Sequence, residues 1–461
     1  MSEPLFELCS PRRLYVRTFG CQMNEYDSLQ VLRQLTAQGY EVVEDMELAD
    51  VIFLNTCSVR AKAEQKVHSF LGSLRRLKQA NPDLKIIAGG CVAQQLGQKL
   101  LNRFDHLDMV IGTRAVNSVG KLLKQLIDKG SRGVFLGDEG NIDSCFDFGG
   151  LSSSPGVTAS VTIMQGCNNH CAYCIVPSVR GAERSRRPED ILEEIRLLER
   201  AGVREVLLLG QNVNSYGRGL EEEINFSGLL RRIASQTGLA RIRFTTSHPK
   251  DLTEDLMDCF TQLGQLCKFL HLPVQAGANG VLARMKRRYT REAYLEKVAL
   301  LRRICPDIAL SSDVIVGFPG ETEEDFTKTM ELIEEVRFDN IFSFCYSDRP
   351  NTRASGFEDK VEAHISARRL AQLQGRQAEI SFAKNLLEVG KTREVLVEGA
   401  SKASNGQMSG RTSQNRIVNF EAPQSSTGKI VEVKILEAYA HSLRGELIRG
   451  KTRDGDDGGL F

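Results

Sequence analysis

Short apolar runs alternate with amphipathic stretches along the first ~130 residues, the pattern of strands taking turns with helices. Leu14–Phe19 reads as a strand and ends at Gly20-Cys21. Helical periodicity then runs from about Glu25 to Gln38 and stops at Gly39. Val51–Leu54 is the next strand, followed by Asn55-Thr56-Cys57 and a helix from about Val59 to Gln79. Leu84–Ala88 follows, then Gly89-Gly90-Cys91 and a further helix. One unit is used three times: strand, short polar or glycine turn, cysteine, helix. Strands separated by helices form a parallel sheet, and right-handed crossovers bring the three strand ends to one edge. Cys21, Cys57 and Cys91 therefore meet at the edge where open α/β sheets bind ligands.

The pattern lapses across Gly130–Gly156, where GNIDSCFDFGGLSSSPG has the Gly/Ser composition of a linker. It then resumes with candidate strands at Ser160–Met164, Glu205–Leu209, Ile242–Thr245, Phe269–Leu272, Ala309–Ile315 and Asn340–Phe344. Six parallel strands with intervening helices predict a barrel or partial barrel whose active loops follow the strands. Charged helical sequence around Glu362–Leu387 leads into short strands across Thr392–Leu447, punctuated by Gly399, Gly406, Gly410 and Gly428. Lys429–Leu436 is the clearest of these strands, and a small all-β barrel fits. The tail KTRDGDDGGLF has a disordered composition. The expected organisation is a multidomain α/β chain. It has an N-terminal parallel α/β sheet domain over 12–128, a linker over 129–152 and a partial (βα)6 TIM-like barrel over 153–383. A small all-β, OB-like barrel over 386–449 and a tail over 450–461 complete it.

A chain of 461 residues is too long for one ordinary core, and its 41% hydrophobic and 26% charged content is that of a globular protein. No apolar run reaches the length of a membrane span, and the start MSEPLFELCSPRR lacks a signal-peptide core. A cytoplasmic location without membrane attachment is expected. Net charge is +1, so nucleic-acid binding must come from local patches rather than a global field. Twelve cysteines in a cytosolic chain of this length argue against a disulfide framework.

Three of those cysteines fall within Gly166-Cys167-Asn168-Asn169-His170-Cys171-Ala172-Tyr173-Cys174, directly after a strand. C-x3-C-x2-C spacing can hold three corners of an iron–sulfur cluster and leaves one iron open to a non-protein ligand. Zinc is the rival, but structural zinc takes four ligands, often as two separated pairs, and His170 inside the short loop is an awkward fourth. For Cys21, Cys57 and Cys91 the ordinary reading is small core residues. Their identical placement at three strand ends instead makes a second three-thiolate site, near helix N-termini that favour an anionic group. Cys9, Cys145, Cys259, Cys267, Cys305 and Cys345 show no such pattern. They read as core filling, or as simple exposure for Cys9 and Cys145.

CNNHCAYC resembles the cluster motif of radical S-adenosylmethionine enzymes, in which the open iron is chelated by the methionine amino and carboxyl groups. Reductive cleavage then yields a 5′-deoxyadenosyl radical. Together with the three strand-end cysteines, the chain resembles the methylthiotransferases of that superfamily. Phe19-Gly20-Cys21-Gln22-Met23-Asn24, Asn55-Thr56-Cys57-Ser58-Val59-Arg60 and Gly89-Gly90-Cys91 are similar to its MiaB branch. The resemblance spans essentially residues 12–449 and ends in a TRAM-like module.

The resemblance implies two [4Fe–4S] clusters: a radical cluster on Cys167, Cys171 and Cys174, and an auxiliary one on Cys21, Cys57 and Cys91 that presents sulfur. It implies S-adenosylmethionine near Gln211, Asn212, Ser247, Gln275 and Gly317, although Gly317-Phe318-Pro319-Gly320 also reads as a plain turn. His271 is polar lining or structural. The implied reaction is methylthiolation at C2 of N6-dimethylallyladenosine at position 37 of tRNAs reading codons that begin with U. One S-adenosylmethionine serves as methyl donor and one as radical source. C2 offers neither an acidic proton nor a leaving group, so a cofactor-borne radical suits it.

The implied partners are a tRNA anticodon stem-loop, a reduced flavodoxin- or ferredoxin-type electron donor and iron–sulfur assembly factors, with the enzyme a monomer. Arg180, Arg184, Arg186 and Arg187 after the cluster loop, and Lys402, Arg411, Arg416 and Lys429 in the C-terminal barrel, are candidate phosphate contacts, against the plainer reading of solvated surface. The alternatives are a sister enzyme acting on threonylcarbamoyladenosine or a ribosomal-protein aspartate, and a non-catalytic iron–sulfur or zinc protein that binds RNA.

Overall fold

The computed structural model describes residues 12–58, 61–137, 156–402 and 406–452. Cys9, Cys145, most of the expected linker and residues 453–461 of the expected tail lie outside them. The chain forms two compact units: residues 1–153 with Ile175–Ala182, and Ser154–Cys174 with Glu183–Phe461.

The first unit carries β1 (Arg13–Thr18), α1 (Gln22–Thr36), β2 (Glu41–Val42), β3 (Val51–Thr56), α2 (Ala61–Ser73), α3 (Arg75–Ala80) and β4 (Lys85–Gly90). After these come α4 (Cys91–Leu96), α5 (Gln98–Arg103), β5 (Met109–Ile111), α6 (Val119–Lys129) and β6 (Gly133–Phe135). The strands form one parallel sheet in the order β2-β1-β3-β4-β5-β6. Both faces are buried, which is why the strands read as continuous apolar runs rather than alternating ones. Leu14, Val51, Phe53 and Ile87 pack under Val31 and Leu35 of α1 and Val119 and Leu123 of α6. Ile52, Leu54, Ile86 and Ala88 pack under Val67 and Leu71 of α2 and Leu100 of α5.

Two expectations are corrected here. The single helix expected to Gln79 is broken at Leu74 into α2 and α3. The sheet domain does not end at 128, because β6 adds a sixth strand beside β5. Three residues are too few for a periodicity to register. The unit also includes α7 (Val176–Arg180), a segment that the sequence assigns to the barrel.

In the second unit, β7 (Thr158–Thr162), β8 (Met164–Gln165) and β9 (Arg184–Ser185) precede α8 (Pro188–Arg200), β10 (Glu205–Leu209), α9 (Phe226–Gln236) and β11 (Arg241–Phe244). Then come α10 (Glu254–Gln262), β12 (Phe269–His271), α11 (Asn279–Arg284), α12 (Arg291–Ile304), β13 (Ala309–Val316), α13 (Glu323–Val336) and β14 (Asn340–Cys345). The six expected parallel strands are all present, as two three-stranded sheets, β7-β10-β11 and β12-β13-β14. A parallel bridge between Ile242 and Leu266 links them into one open arc. Val161, Val206, Leu208, Phe244, Leu270 and Val314 share a core with Ile195 of α8, Leu230 of α9 and Ile333 of α13. The helices thus cover the outer face, and the strand carboxyl ends are left to the loops.

The 24-residue α14 (Ala363–Leu386) leads to β15 (Thr392–Ala400), β16 (Met408–Thr412), β17 (Ile417–Glu421), β18 (Ile430–Ala438) and β19 (Leu443–Thr452). These close into a barrel in the order β15-β16-β17-β19-β18 around Val395, Val418, Phe420 and Val433. Arg241 and Arg243 at the base of the arc dock it: Arg241 donates to the Arg411 carbonyl, and Arg243 to those of Thr412 and Ser413, both at 3.3 Å. Among the described residues no helix is long and apolar enough to cross a membrane.

Candidate functional site

In the first unit, α1 leaves β1 over one face of the sheet and α2 leaves β3 over the other. The two neighbouring strands are therefore a topological switch point, where the loops part and open a crevice. Thr18 pairs with Asn55 and Thr56 with Gly90, so the turns carrying Cys21, Cys57 and Cys91 leave the sheet at one level. Gly20 and Gly90 have φ of +124° and +91°, which side-chain-bearing residues rarely adopt. A Cβ on Gly20 would lie 2.4 Å from Cys57 Cβ and 2.7 Å from its Sγ, so the Cys21 and Cys57 loops touch through that glycine.

Side chains tie the loops together. Asn24 Nδ2 donates to the Phe19 carbonyl at 3.0 Å and the Thr56 carbonyl at 2.8 Å. Its Oδ1 lies 3.8 Å from Cys21 Sγ and 3.9 Å from Cys91 Sγ. Thr56 Oγ1 donates to the Gly89 carbonyl at 2.6 Å and accepts from the Ala93 amide at 3.2 Å. The thiol of Cys21 is lowered to about 6, first by a hydrogen bond with Cys57, with the charge of Arg180 assisting, while burial raises that of Cys91. Among the described residues no three His, Cys, Asp or Glu side chains converge tightly enough to hold a single ion. A cluster has a different requirement, one thiolate on each of three irons, and a spaced triad of soft donors around Asn24 suits it.

In the second unit the loop after β8 carries Cys167, Cys171 and Cys174, all half-buried. β8 pairs with β9, which brackets the segment between them. The spacer residues hold the loop. Gly166 (φ +76°) donates its amide to Gln211 Oε1 at 2.6 Å, and Asn168 Oδ1 accepts from the Glu183 amide at 3.1 Å. Asn169 accepts from Lys250, and Ala172 bonds through its backbone to Met285 and Ala354. Exposed His170 takes the left-handed turn at φ +33°. Buried Arg287 donates to Cys171 Sγ and to the Tyr173 hydroxyl, both at 3.4 Å, and to the Pro273 carbonyl at 2.7 Å.

Beyond the loop, polar side chains gather at the carboxyl ends of the arc. Asn212 follows β10, Ser247 follows β11 and Gln275 follows β12. All three are buried, and Asn212 Oδ1, Ser247 Oγ and Gln275 Oε1 have no hydrogen-bond partner among the described residues. Buried polar atoms without partners are costly, and three at one rim fit a polar ligand such as S-adenosylmethionine. Gln211, also expected near the cofactor, accepts from the Gly166 amide of the cysteine loop. The Gly317 amide donates to Glu321 at 2.6 Å, and a Cβ there would lie 2.1 Å from Ser366 Oγ, so this glycine makes the turn and the contact with α14. His271 is held between Ser311 (2.8 Å) and Asp313 (3.5 Å).

Family models match three stretches of the chain: "Uncharacterized protein family UPF0004" at residues 13–112, the radical SAM superfamily at 161–333 and the TRAM domain at 386–448. A protein of Syntrophobacter fumaroxidans named tRNA-2-methylthio-N(6)-dimethylallyladenosine synthase is 62% identical over 443 residues, 95% of this chain and 96% of its own. Relatives of the same name from Geobacter sulfurreducens and Carboxydothermus hydrogenoformans are 49% and 46% identical, over 95% and 94% of this chain and 98% and 99% of theirs. The chain belongs to the tRNA-2-methylthio-N(6)-dimethylallyladenosine synthase family.

Among solved structures, the radical S-adenosylmethionine methyltransferase TsrM of Kitasatospora setae is similar at a TM-score of 0.56 and 16% identity, covering 75% of this chain and 77% of its own. That likeness concerns the fold alone.

For this member of the synthase family, the arginines expected to meet RNA divide. Arg180 and Arg186 are buried: Arg180 pairs with Asp27 at 2.7 Å, and Arg186 with Glu194 at 2.7 Å. Their charges are engaged inside the protein, which a run of arginines in sequence does not reveal. Arg184 is half-buried, Arg416 pairs with Asp339 at 2.7 Å and Arg411 with Glu398 at 3.1 Å. Arg187, Lys402 and Lys429 are exposed. Sequence reasoning missed Asn24, Thr56 and Arg287 as organisers of the cysteine loops. Asn24 and Thr56 stood inside the quoted motifs, whereas Arg287, 113 residues beyond Cys174, gave no local signal.

Proposed function

We propose that this chain converts N6-dimethylallyladenosine at position 37 of tRNAs reading codons beginning with U into its 2-methylthio derivative, in the cytoplasm. One observation carries the reading: a single chain places one three-cysteine set at a parallel-sheet edge and a second in a loop beside the strand ends of a parallel arc. The first set, Cys21, Cys57 and Cys91, holds the auxiliary [4Fe–4S] cluster, and the second, Cys167, Cys171 and Cys174, holds the radical-generating one. When bound, the clusters and two molecules of S-adenosylmethionine supply a methyl group, a carried sulfur and an organic radical able to attack an unactivated C–H bond.

The protein's own side chains bind and orient. Asn24 and Thr56 keep the first three cysteine loops in register. Arg287 donates to Cys171, offsetting the negative charge that a metal-bound thiolate brings into a buried loop. Asn212, Ser247 and Gln275 offer their unpartnered atoms to the polar groups of S-adenosylmethionine. The C-terminal barrel, with Lys402 and Lys429 exposed and Arg411 near its surface, receives the anticodon stem-loop. A reduced flavodoxin- or ferredoxin-type protein supplies electrons, and iron–sulfur assembly factors load the clusters.

Nucleoside mass analysis of bulk tRNA from a deletion strain tests the assignment. Loss of 2-methylthio-N6-dimethylallyladenosine with accumulation of N6-dimethylallyladenosine is expected. Loss of a threonylcarbamoyl-derived nucleoside instead would overturn it. Reduced protein carrying Cys174→Ala should form no 5′-deoxyadenosine, whereas Cys21→Ala should still form it without transferring sulfur.

A further inference from the structure

Arg180 follows the C-x3-C-x2-C run by six positions, yet it belongs to the first unit. Ile175 and Val179 of its segment pack on Cys91, and Thr113 Oγ1 donates to the Val179 carbonyl. At Gly181, φ +80°, the Arg114 guanidinium occupies the space a side chain would need. The segment therefore delivers a 95% buried arginine beside the first cysteine set. Arg180 Nη2 donates to Asp27 Oδ2 at 2.7 Å and to Asn24 Oδ1 at 3.1 Å, the oxygen that also lies within 3.9 Å of the Cys21 and Cys91 sulfurs. Its Nη1 is buried with no hydrogen-bond partner among the described residues.

Burying an arginine is expensive, and pairing one with a carboxylate rarely repays the desolvation of both. The unpartnered Nη1 leaves the guanidinium able to donate to one further acceptor. Both features make sense if a further anion completes the site. The guanidinium nitrogen that meets Asp27 also meets the Asn24 oxygen shared by the Cys21 and Cys91 sulfurs.

We infer that Arg180, oriented by Asp27, is the positioning residue that balances the charge of the cluster on Cys21, Cys57 and Cys91 and sets its reduction potential. The inference rests on the assignment of a cluster to those cysteines. A cluster held by thiolates is anionic and gains a further negative charge on reduction, so a buried cation beside it favours the reduced form. Asp27 moderates that effect, and the pair gives the two residues opposite influence.

The test uses the full chain carrying Cys167→Ala, Cys171→Ala and Cys174→Ala, so that one cluster remains. It is reconstituted anaerobically, its iron and sulfide are counted, and it is titrated with reductant under electron paramagnetic resonance. Failure of this parent to take up iron would sink the cluster assignment itself. With iron bound, Arg180→Gln should shift the potential negative, Asp27→Asn should shift it positive, and Arg180→Lys should restore most of the Arg180→Gln shift. Potentials that stay unchanged in both, or move in the same direction, overturn the inference, because a merely structural pair has no reason to give shifts of opposite sign. Should Arg180→Gln fail to fold or to hold iron, Asp27→Asn decides alone: a positive shift sustains the inference, and a zero or negative one refutes it.

Discussion

The Asn24 carboxamide donates to the carbonyl of Thr56 at 2.8 Å, across 32 residues of chain, and Thr56 is the residue that leads into Cys57. The same amide reaches the Phe19 carbonyl just ahead of Gly20-Cys21. One side chain thereby holds two cysteine turns, and truncating it strands two carbonyls, at a cost of about 1–3 kcal/mol for each that stays buried without a partner. Asn24→Ala is predicted to lower iron from about eight to about four per chain, since the other cluster is untouched. Cleavage of S-adenosylmethionine should persist, and iron analysis alongside a 5′-deoxyadenosine assay checks both halves.

Gly20 and Gly90 lead to a related prediction with a different cause. A Cβ at position 90 would lie 2.3 Å from Asn55 Oδ1 and 2.4 Å from the Thr56 carbonyl oxygen, at a φ of +91°. Neither neighbour can retreat, because both belong to the strand-end network. Gly90→Ala should therefore displace Cys91 and destabilise the first unit by more than the roughly 1 kcal/mol usual for a glycine forced from φ > 0. Chemical denaturation of the cluster-free protein measures this, and a variant as stable as wild type would contradict it.

Ser247 offers a separation of stability from binding. Its buried hydroxyl has no partner among the described residues, so Ser247→Ala should leave the ligand-free protein as stable as before, or up to about 1 kcal/mol more stable. Affinity for S-adenosylmethionine should fall about tenfold, the equivalent of about 1.4 kcal/mol. Calorimetric titration of the cluster-loaded protein, paired with its unfolding curve, would expose a purely structural hydroxyl as the reverse pattern.

Arg186 and Glu194 are both fully buried and meet at 2.7 Å. Removing one partner leaves a buried, uncompensated charge, so Arg186→Met should cost about 3–5 kcal/mol. The double variant Arg186→Met, Glu194→Leu should recover much of that loss. A double-mutant cycle on unfolding free energies distinguishes this from a surface arginine, whose removal would barely register.

His248 makes the stability of the second unit depend on pH. Burial, with the nearby Arg287 and Lys250 charges, lowers its imidazole to about 2. The unfolded chain therefore takes up a proton near pH 6.5 that the folded protein refuses. The contribution is complete above the unfolded value and is lost progressively as pH falls toward the folded one. Between pH 6.5 and 5.0 the loss should be about 1.7 kcal/mol, the slope approaching about 1.4 kcal/mol per pH unit only once the unfolded imidazole is fully protonated. His248→Gln should flatten that dependence, and its ring resonances in the wild type should not titrate above pH 5.

Much of this protein is legible before any coordinates are known. The three cysteine turns of the first unit stand out because each follows an apolar strand and precedes a helix, and a parallel sheet has to bring such ends together. The barrel strands are equally plain, with Glu205–Leu209 running over the same residues in sequence and structure. Local order was harder where the elements are short: β6 has three residues, and the break at Leu74 interrupts an otherwise unbroken helical periodicity.

The sequence by itself determined the chemistry, because cysteines at C-x3-C-x2-C spacing and at three strand ends are defined by residue type and local pattern. Only the tertiary structure decided what surrounds them. Arg180 looks like one more cation in an arginine-rich stretch until Asp27, 153 positions away, is found beside it. Arg287 reaches Cys171 across 116 positions. Whether a charge is solvated or buried depends on which distant groups pack around it, and such packing leaves no trace in the local run of residues.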